Sequence, residues 1–117
     1  NLLPLTAGTQ DILNRKTLGA LKPGAYLINV ARGAHLVEDD LLALLESGQM
    51  AGATLDVFRT EPLPAGHPFW TNPKITVTPH TSARTLRDES IAQIAGKIRA
   101  LEAGAPVAGV VDPVRGY

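Results

Sequence analysis

The sequence contains no cysteine among its 117 residues, which removes disulfide staples, thiolate zinc sites and cysteine nucleophiles. It also lacks an excess of charge: 11 basic residues face 11 acidic ones, for a formal net charge of zero. Partners gathered by bulk charge, such as nucleic acid or an anionic membrane surface, are therefore not expected. Aromatic residues are scarce, at 4% of the chain, so a core drawn from its 44% hydrophobic residues must be aliphatic. No apolar run approaches the ~20 residues of a membrane-spanning helix; the longest, Ala25 to Ala31 and Leu41 to Leu45, are short and interrupted. The first residues carry no basic-then-apolar leader. Together with the missing cysteine, that points to a cytoplasmic protein. His35 and His67 have no ligand-like spacing with His80, so no metal site is expected.

What is present fits one domain. A chain of this length buries roughly 65% of its unfolded surface, enough for one core and not for two of ordinary size. It opens on Asn1 and then Leu2-Leu3-Pro4-Leu5, interior-type residues without a polar lead-in, which reads as the later part of a larger protein. The 11 glycines and 9 prolines punctuate short apolar segments and suggest many elements joined by tight turns. Leu2 to Leu5 reads as the end of a strand. A short helix follows with Leu18 and Leu21 on one face, stopped by Lys22-Pro23-Gly24. Tyr26 to Val30 is continuously apolar apart from Asn29, as in a strand buried on both faces. A helix over Glu38 to Ser47 carries Glu38, Asp39 and Asp40 at its positive end, and Gly48 closes it. Leu41, Leu42 and Leu45 are expected to face a sheet. Ala53 to Val57 and Ile75 to Thr78 read as further strands. A last helix over Thr85 to Ala103 has an apolar stripe of Ile91, Ile94, Ile98 and Leu101, ended by Gly104 and Pro106.

Alternating strands and helices imply an α/β layer around a mostly parallel sheet, where ligands gather at the carboxyl ends of the strands. That rule selects Arg32, Asp56, Glu61 and His80, which follow successive predicted strands. A histidine can exchange a proton with a reacting hydroxyl near neutral pH. A carboxylate on its far nitrogen, here Glu61, fixes the tautomer and keeps the ring able to donate. An arginine matches a carboxylate with parallel hydrogen bonds. An acid–base histidine, its carboxylate and a carboxylate clamp suit hydride reduction beside an acid group.

The segments Asn29-Val30-Ala31-Arg32-Gly33, Leu55-Asp56-Val57-Phe58 with Glu61-Pro62, and Thr78-Pro79-His80 resemble, in that order, signatures of the D-2-hydroxyacid dehydrogenases. The resemblance covers essentially the whole chain. Val37 to Leu42, Phe69-Trp70 and the ending Val111 to Tyr117 are most similar to the glyoxylate/hydroxypyruvate reductase branch. It implies the second half of a Rossmann-type, doubly wound NAD(P)-binding domain over residues 1–105, truncated on its N-terminal side, with residues 106–117 returning to a substrate domain. It further implies Arg32 as the substrate-carboxylate binder, His80 as acid–base catalyst and Glu61 as its partner. Leu3, Pro4, Thr6, Ala31, Arg32, Asp56, His80 and Ser82 are implied to border the cofactor, with Asp56 on the nicotinamide carboxamide. The cofactor is NAD or NADP, NADP being favoured by the branch. The partners implied are a small 2-oxo or 2-hydroxy acid and a second copy, through a dimer or an open sheet edge beside Leu2 to Leu5.

Two departures stand out. A dinucleotide site needs a Gly-x-Gly-x-x-Gly turn at a helix start, and no two glycines here lie two apart. After His80, where the family has a glycine-containing stretch, this chain has Thr81-Ser82-Ala83-Arg84. An inactive half-domain and a nucleotide-sensing corepressor are the alternative readings.

Overall fold

The computed structural model describes residues 1–83 and 85–116; Arg84 and Tyr117, which end two of the segments quoted above, lie outside the described residues. The chain forms two compact units, Asn1–Ser82 and Ala83–Tyr117.

The first unit runs α1 (Arg15–Gly19), β1 (Ala25–Asn29), α2 (Glu38–Glu46), β2 (Met50–Leu55) and β3 (Ile75–Val77), with 3-10 turns at Gly33–His35 and Pro68–Trp70. The strands form one sheet in the order β1-β2-β3, both pairs parallel. Parallel neighbours need crossovers. α2 makes the first, and the segment carrying the second 3-10 turn makes the other.

α1 starts where Asn14 accepts hydrogen bonds from the amides of Lys16 and Thr17, as a capping side chain does. Its first amide, that of Arg15, donates to Asp40 of α2 at 2.8 Å. α2 has no side-chain cap of its own; the carboxylates of its first turn complement the helix dipole instead. Leu41 and Leu45 are fully buried and Leu44 nearly so, while Leu42 packs at the margin. They meet Leu18, Leu27, Leu36, Met50, Ala53, Leu55 and Phe69 in an almost wholly aliphatic core. Burying such a leucine contributes about 2 kcal/mol.

Several expectations change. Leu2 to Leu5 form no strand. Of this segment Asn1 alone lies along β1, its ammonium donating to the Ile28 carbonyl at 2.7 Å and its carbonyl accepting from the Val30 amide at 3.4 Å. Pro4 then has no N–H to offer, and the Thr9 hydroxyl donating to the Pro4 carbonyl at 2.7 Å folds the chain away. β1 is buried on one face only: Leu27 and Asn29 are inside, Tyr26 and Ile28 more than half exposed. Leu21 is exposed rather than beside Leu18, because α1 ends at Gly19, before its face recurs. β2 begins at Met50, earlier than expected, and ends before Asp56.

In the second unit, α3 (Arg87–Glu102) buries no residue. The expected stripe is present by spacing, but Ile91, Ile94, Ile98 and Leu101 are each more than half exposed. Gly104, at φ +66°, closes the helix, the left-handed step that glycine makes without penalty. Among the described residues, no helix is long and apolar enough to cross a membrane.

Candidate active site

The carboxyl ends of the strands assemble the site. Beyond β1 the chain leaves through Ala31 and Arg32 into the turn Gly33–His35. Arg32 is exposed, and its Nη1 donates to the Ala31 carbonyl at 2.7 Å. That leaves most of the guanidinium's five N–H donors for another acceptor. Gly33 could be no other residue: a Cβ there would lie 1.9 Å from the Phe58 carbonyl carbon. The bare glycine lets the turn after β1 touch the segment after β2.

Asp56 directly follows that second strand and is 1% exposed. Its Oδ1 accepts from the Thr78 hydroxyl and, at 2.9 Å, from the Thr81 amide; its Oδ2 accepts from the Ser82 amide at 2.9 Å. Burial on its own pushes this carboxyl upward, but the hydrogen bonds from Thr78, Thr81 and Ser82 outweigh it and hold the group far below the usual carboxylate range. One buried carboxylate thus grips both sides of His80.

His80 sits in the left-handed region at φ +53°. Its Nδ1 lies 2.8 Å from Oε2 of Glu61, and Oε1 of Glu61 accepts from the Phe58 amide at 2.9 Å. These two hydrogen bonds, His80 first, with the nearby charges of His80 and Arg32, lower the Glu61 carboxyl below its ordinary range against a smaller opposing effect of burial. An ionised Glu61 accepts the Nδ1 proton, and Nε2 meets no protein partner among the described residues.

An open cavity of about 380 Å³ is lined by Leu5, Arg32, Gly33, Ala34, Phe58, Arg59, Glu61 and His80. Arg32, Glu61 and His80, singled out in the sequence, share it. Leu3, Pro4, Thr6, Ala31, Asp56 and Ser82 are not among its walls; Pro4, Thr6 and Ala31 adjoin a wall residue in sequence, while Leu3, Asp56 and Ser82 neither adjoin one nor hydrogen-bond to one. Pro4 precedes Leu5, and Ala31 precedes Arg32. Thr6 is fixed by Thr9, whose hydroxyl accepts from the Thr6 amide at 2.8 Å. Arg59 is a second cation that sequence reasoning missed. It is paired with Asp11 and donates to the Leu36 carbonyl at 2.8 Å, and its only sequence signal was its place next to Phe58. A smaller, apolar cavity of about 210 Å³ also borders Glu61 and His80, with Phe58, Leu63, Trp70 and Val77 in its walls. Of Phe69-Trp70, the first is core and the second is half exposed.

Residues 1–82, the span of the first compact unit, match the family described as D-isomer specific 2-hydroxyacid dehydrogenase, NAD binding domain. The chain belongs to that family. Its fold is the family's NAD-binding fold, here a parallel sheet with helices. Glyoxylate/hydroxypyruvate reductase A of Serratia proteamaculans is 62% identical over the whole chain, which covers 37% of that protein. The reductase A of Yersinia enterocolitica is 54% identical over the same share. The D-isomer specific 2-hydroxyacid dehydrogenase of Xanthobacter autotrophicus Py2, solved with NADPH and MES, superposes with a TM-score of 0.95 at 47% identity, over 99% of this chain and 48% of that one. An NADPH-dependent glyoxylate/hydroxypyruvate reductase of Sinorhizobium meliloti, solved with NADP and sulfate, gives 0.94 at 40% identity, over 99% of this chain and 38% of that one. This chain therefore spans a little over a third of the length of the curated relatives it matches.

The donor set fits the nicotinamide end of a dinucleotide. The larger cavity has the volume of an ordinary small-molecule site, with guanidinium and imidazole groups on its walls. The pyrophosphate end has no Gly-x-Gly-x-x-Gly turn among the 117 residues.

Proposed function

We propose that this chain supplies the catalytic edge of a reductase of small 2-oxo acids, of the glyoxylate or hydroxypyruvate type, with NADPH as the preferred cofactor. The observation that carries the reading is the His80–Glu61 pair, 2.8 Å apart, on the wall of a cavity that also holds Arg32. When bound, the reduced nicotinamide supplies the hydride that the carbonyl carbon accepts.

Arg32 holds the substrate carboxylate with N–H groups left free by the Ala31 contact. His80 donates a proton from Nε2 to the carbonyl oxygen as the C–O double bond becomes a C–O single bond. Glu61 keeps a proton on Nδ1 throughout, so the ring that has given up its Nε2 proton is left in one tautomer. Asp56 holds the loop that aims the ring, and its Oδ2 keeps one acceptor position for a carboxamide N–H. Leu3, Pro4, Thr6, Ala31 and Ser82 border the cofactor at the strand ends. The pyrophosphate is held by a part of the protein other than these 117 residues, and residues 106–117 lead back to the substrate domain.

The test is a fluorescence titration of the chain with NADPH, followed by NADPH oxidation with glyoxylate or hydroxypyruvate in protein carrying the phosphate-binding turn. Turnover that disappears in His80→Ala while NADPH still binds supports the proposal. Binding without turnover in the unaltered protein, or equal turnover in His80→Ala, overturns it.

A further inference from the structure

We propose that His35 is a positioning residue, tying the backbone of Arg32 to that of Pro4 and so fixing where the guanidinium starts. The functional weight of this tie rests on Arg32 being the carboxylate clamp; the tie itself does not.

His35 ends the 3-10 turn that follows Arg32, is fully buried, and takes no part in the chemistry above. A buried imidazole needs partners for its polar edges. Here Nδ1 lies 3.2 Å from the Arg32 carbonyl oxygen and Nε2 lies 3.3 Å from the Pro4 carbonyl oxygen. Carbonyl oxygens only accept, so the ring must be the donor, and a neutral ring donates from one nitrogen at a time. A phenylalanine or leucine would fill this space without burying a polar ring. What histidine adds is a ring nitrogen beside each of two backbone segments that lead into the cavity, one through Arg32 and one through Leu5, with an N–H for whichever carbonyl the tautomer serves. The Arg32 carbonyl also accepts from Asn29 Nδ2 at 3.3 Å and from the His35 amide at 3.3 Å. It is therefore clamped from β1 and from the turn together, and only the side-chain torsions of Arg32 remain free.

The test is NMR of the isotope-labelled 117-residue chain, unaltered and as His35→Phe, His35→Asn and His35→Gln. Long-range proton–nitrogen spectra show which ring nitrogen carries the hydrogen-bonded proton. Carbonyl carbon shifts of Arg32 and Pro4 read the tie at its acceptors, and the Arg32 Nε–H signal reads the guanidinium. His35→Phe is expected to move one or both carbonyls upfield and broaden the Arg32 signal. Asn, which reaches as far as Nδ1, restores the Arg32 carbonyl, and Gln, which reaches as far as Nε2, restores the Pro4 carbonyl. Glyoxylate binding at Arg32 weakens about fivefold in His35→Phe, as expected for the loss of one neutral hydrogen bond. Carbonyl shifts unchanged in folded His35→Phe overturn the proposal. If that variant does not fold, unchanged carbonyls in both amide variants overturn it equally. Absence of glyoxylate binding in the unaltered chain counts against the reductase reading alone, since the carbonyl shifts judge the tie without any ligand.

Discussion

At the scale of single residues, the site depends on two carboxylates with different tasks. Asp56 is inside and holds a loop; Glu61 is partly exposed and holds a ring. Both are depressed below their ordinary range by hydrogen bonds that outweigh burial. The unfolded chain therefore takes up protons first as the pH falls. Their stabilisation is complete above the usual carboxylate range and is lost below about pH 4, as the pH drops toward the folded values. Asp56→Asn is expected to cost on the order of 2 kcal/mol at neutral pH, since it keeps one acceptor oxygen and leaves either the Thr81 or the Ser82 amide facing an NH2 group. It also flattens the acid limb of the stability curve, which urea unfolding at a series of pH values measures. For the chemistry, His80→Ala is expected to lower turnover by ~10² to 10⁴ with NADPH affinity retained, as steady-state rates beside a binding titration would show.

At the scale of elements, the site exists because the turn after β1 and the segment after β2 come into backbone contact at Gly33. Gly33→Ala forces a Cβ into the Phe58 carbonyl and is expected to destabilise the first unit by about 2 kcal/mol. It should also weaken carboxylate binding, whereas Leu45→Ala, a core variant expected to lose about 3 kcal/mol, should lower the melting temperature more and carboxylate binding less. Comparing the two variants by thermal unfolding and ligand titration separates site from core. The elements were legible where burial is one-sided and regular. The leucines of α2 announce themselves through period, and the run Tyr26 to Val30 through its apolar, partly β-branched character. Leu2 to Leu5 misled because apolar content says nothing about ladder partners, and the Thr9 hydroxyl that diverts the chain lies in a polar stretch without periodicity. Two-faced burial of β1 was read from composition, yet Tyr26 and Ile28 have no covering helix in the first unit. Arg32, Glu61 and His80 could be placed together because strand ends of a parallel sheet share an edge. Arg59 and His35 could not, since Arg59 pairs with the sequence-distant Asp11 and His35 meets backbone carbonyls, and no sequence pattern marks either.

At the scale of the molecule, β1 is an outer strand of its sheet, and among the described residues of the first unit only Asn1 runs beside its far end. Ala25 to Leu27 keep an open edge, flanked by the exposed Tyr26 and Ile28. Open edges recruit other strands, and a net charge of zero does nothing to keep copies apart. The chain is expected to self-associate at micromolar concentration, visible as a concentration-dependent sedimentation coefficient; a constant monomer value would refute this. The left-handed backbone at His80 sets a different pressure. A side chain there works against the conformation it occupies, where glycine or asparagine would rest more easily. A laboratory selection that rewards only thermal robustness would thus be drawn to this position early, and the lineages it favoured would grow sturdier as they fell silent.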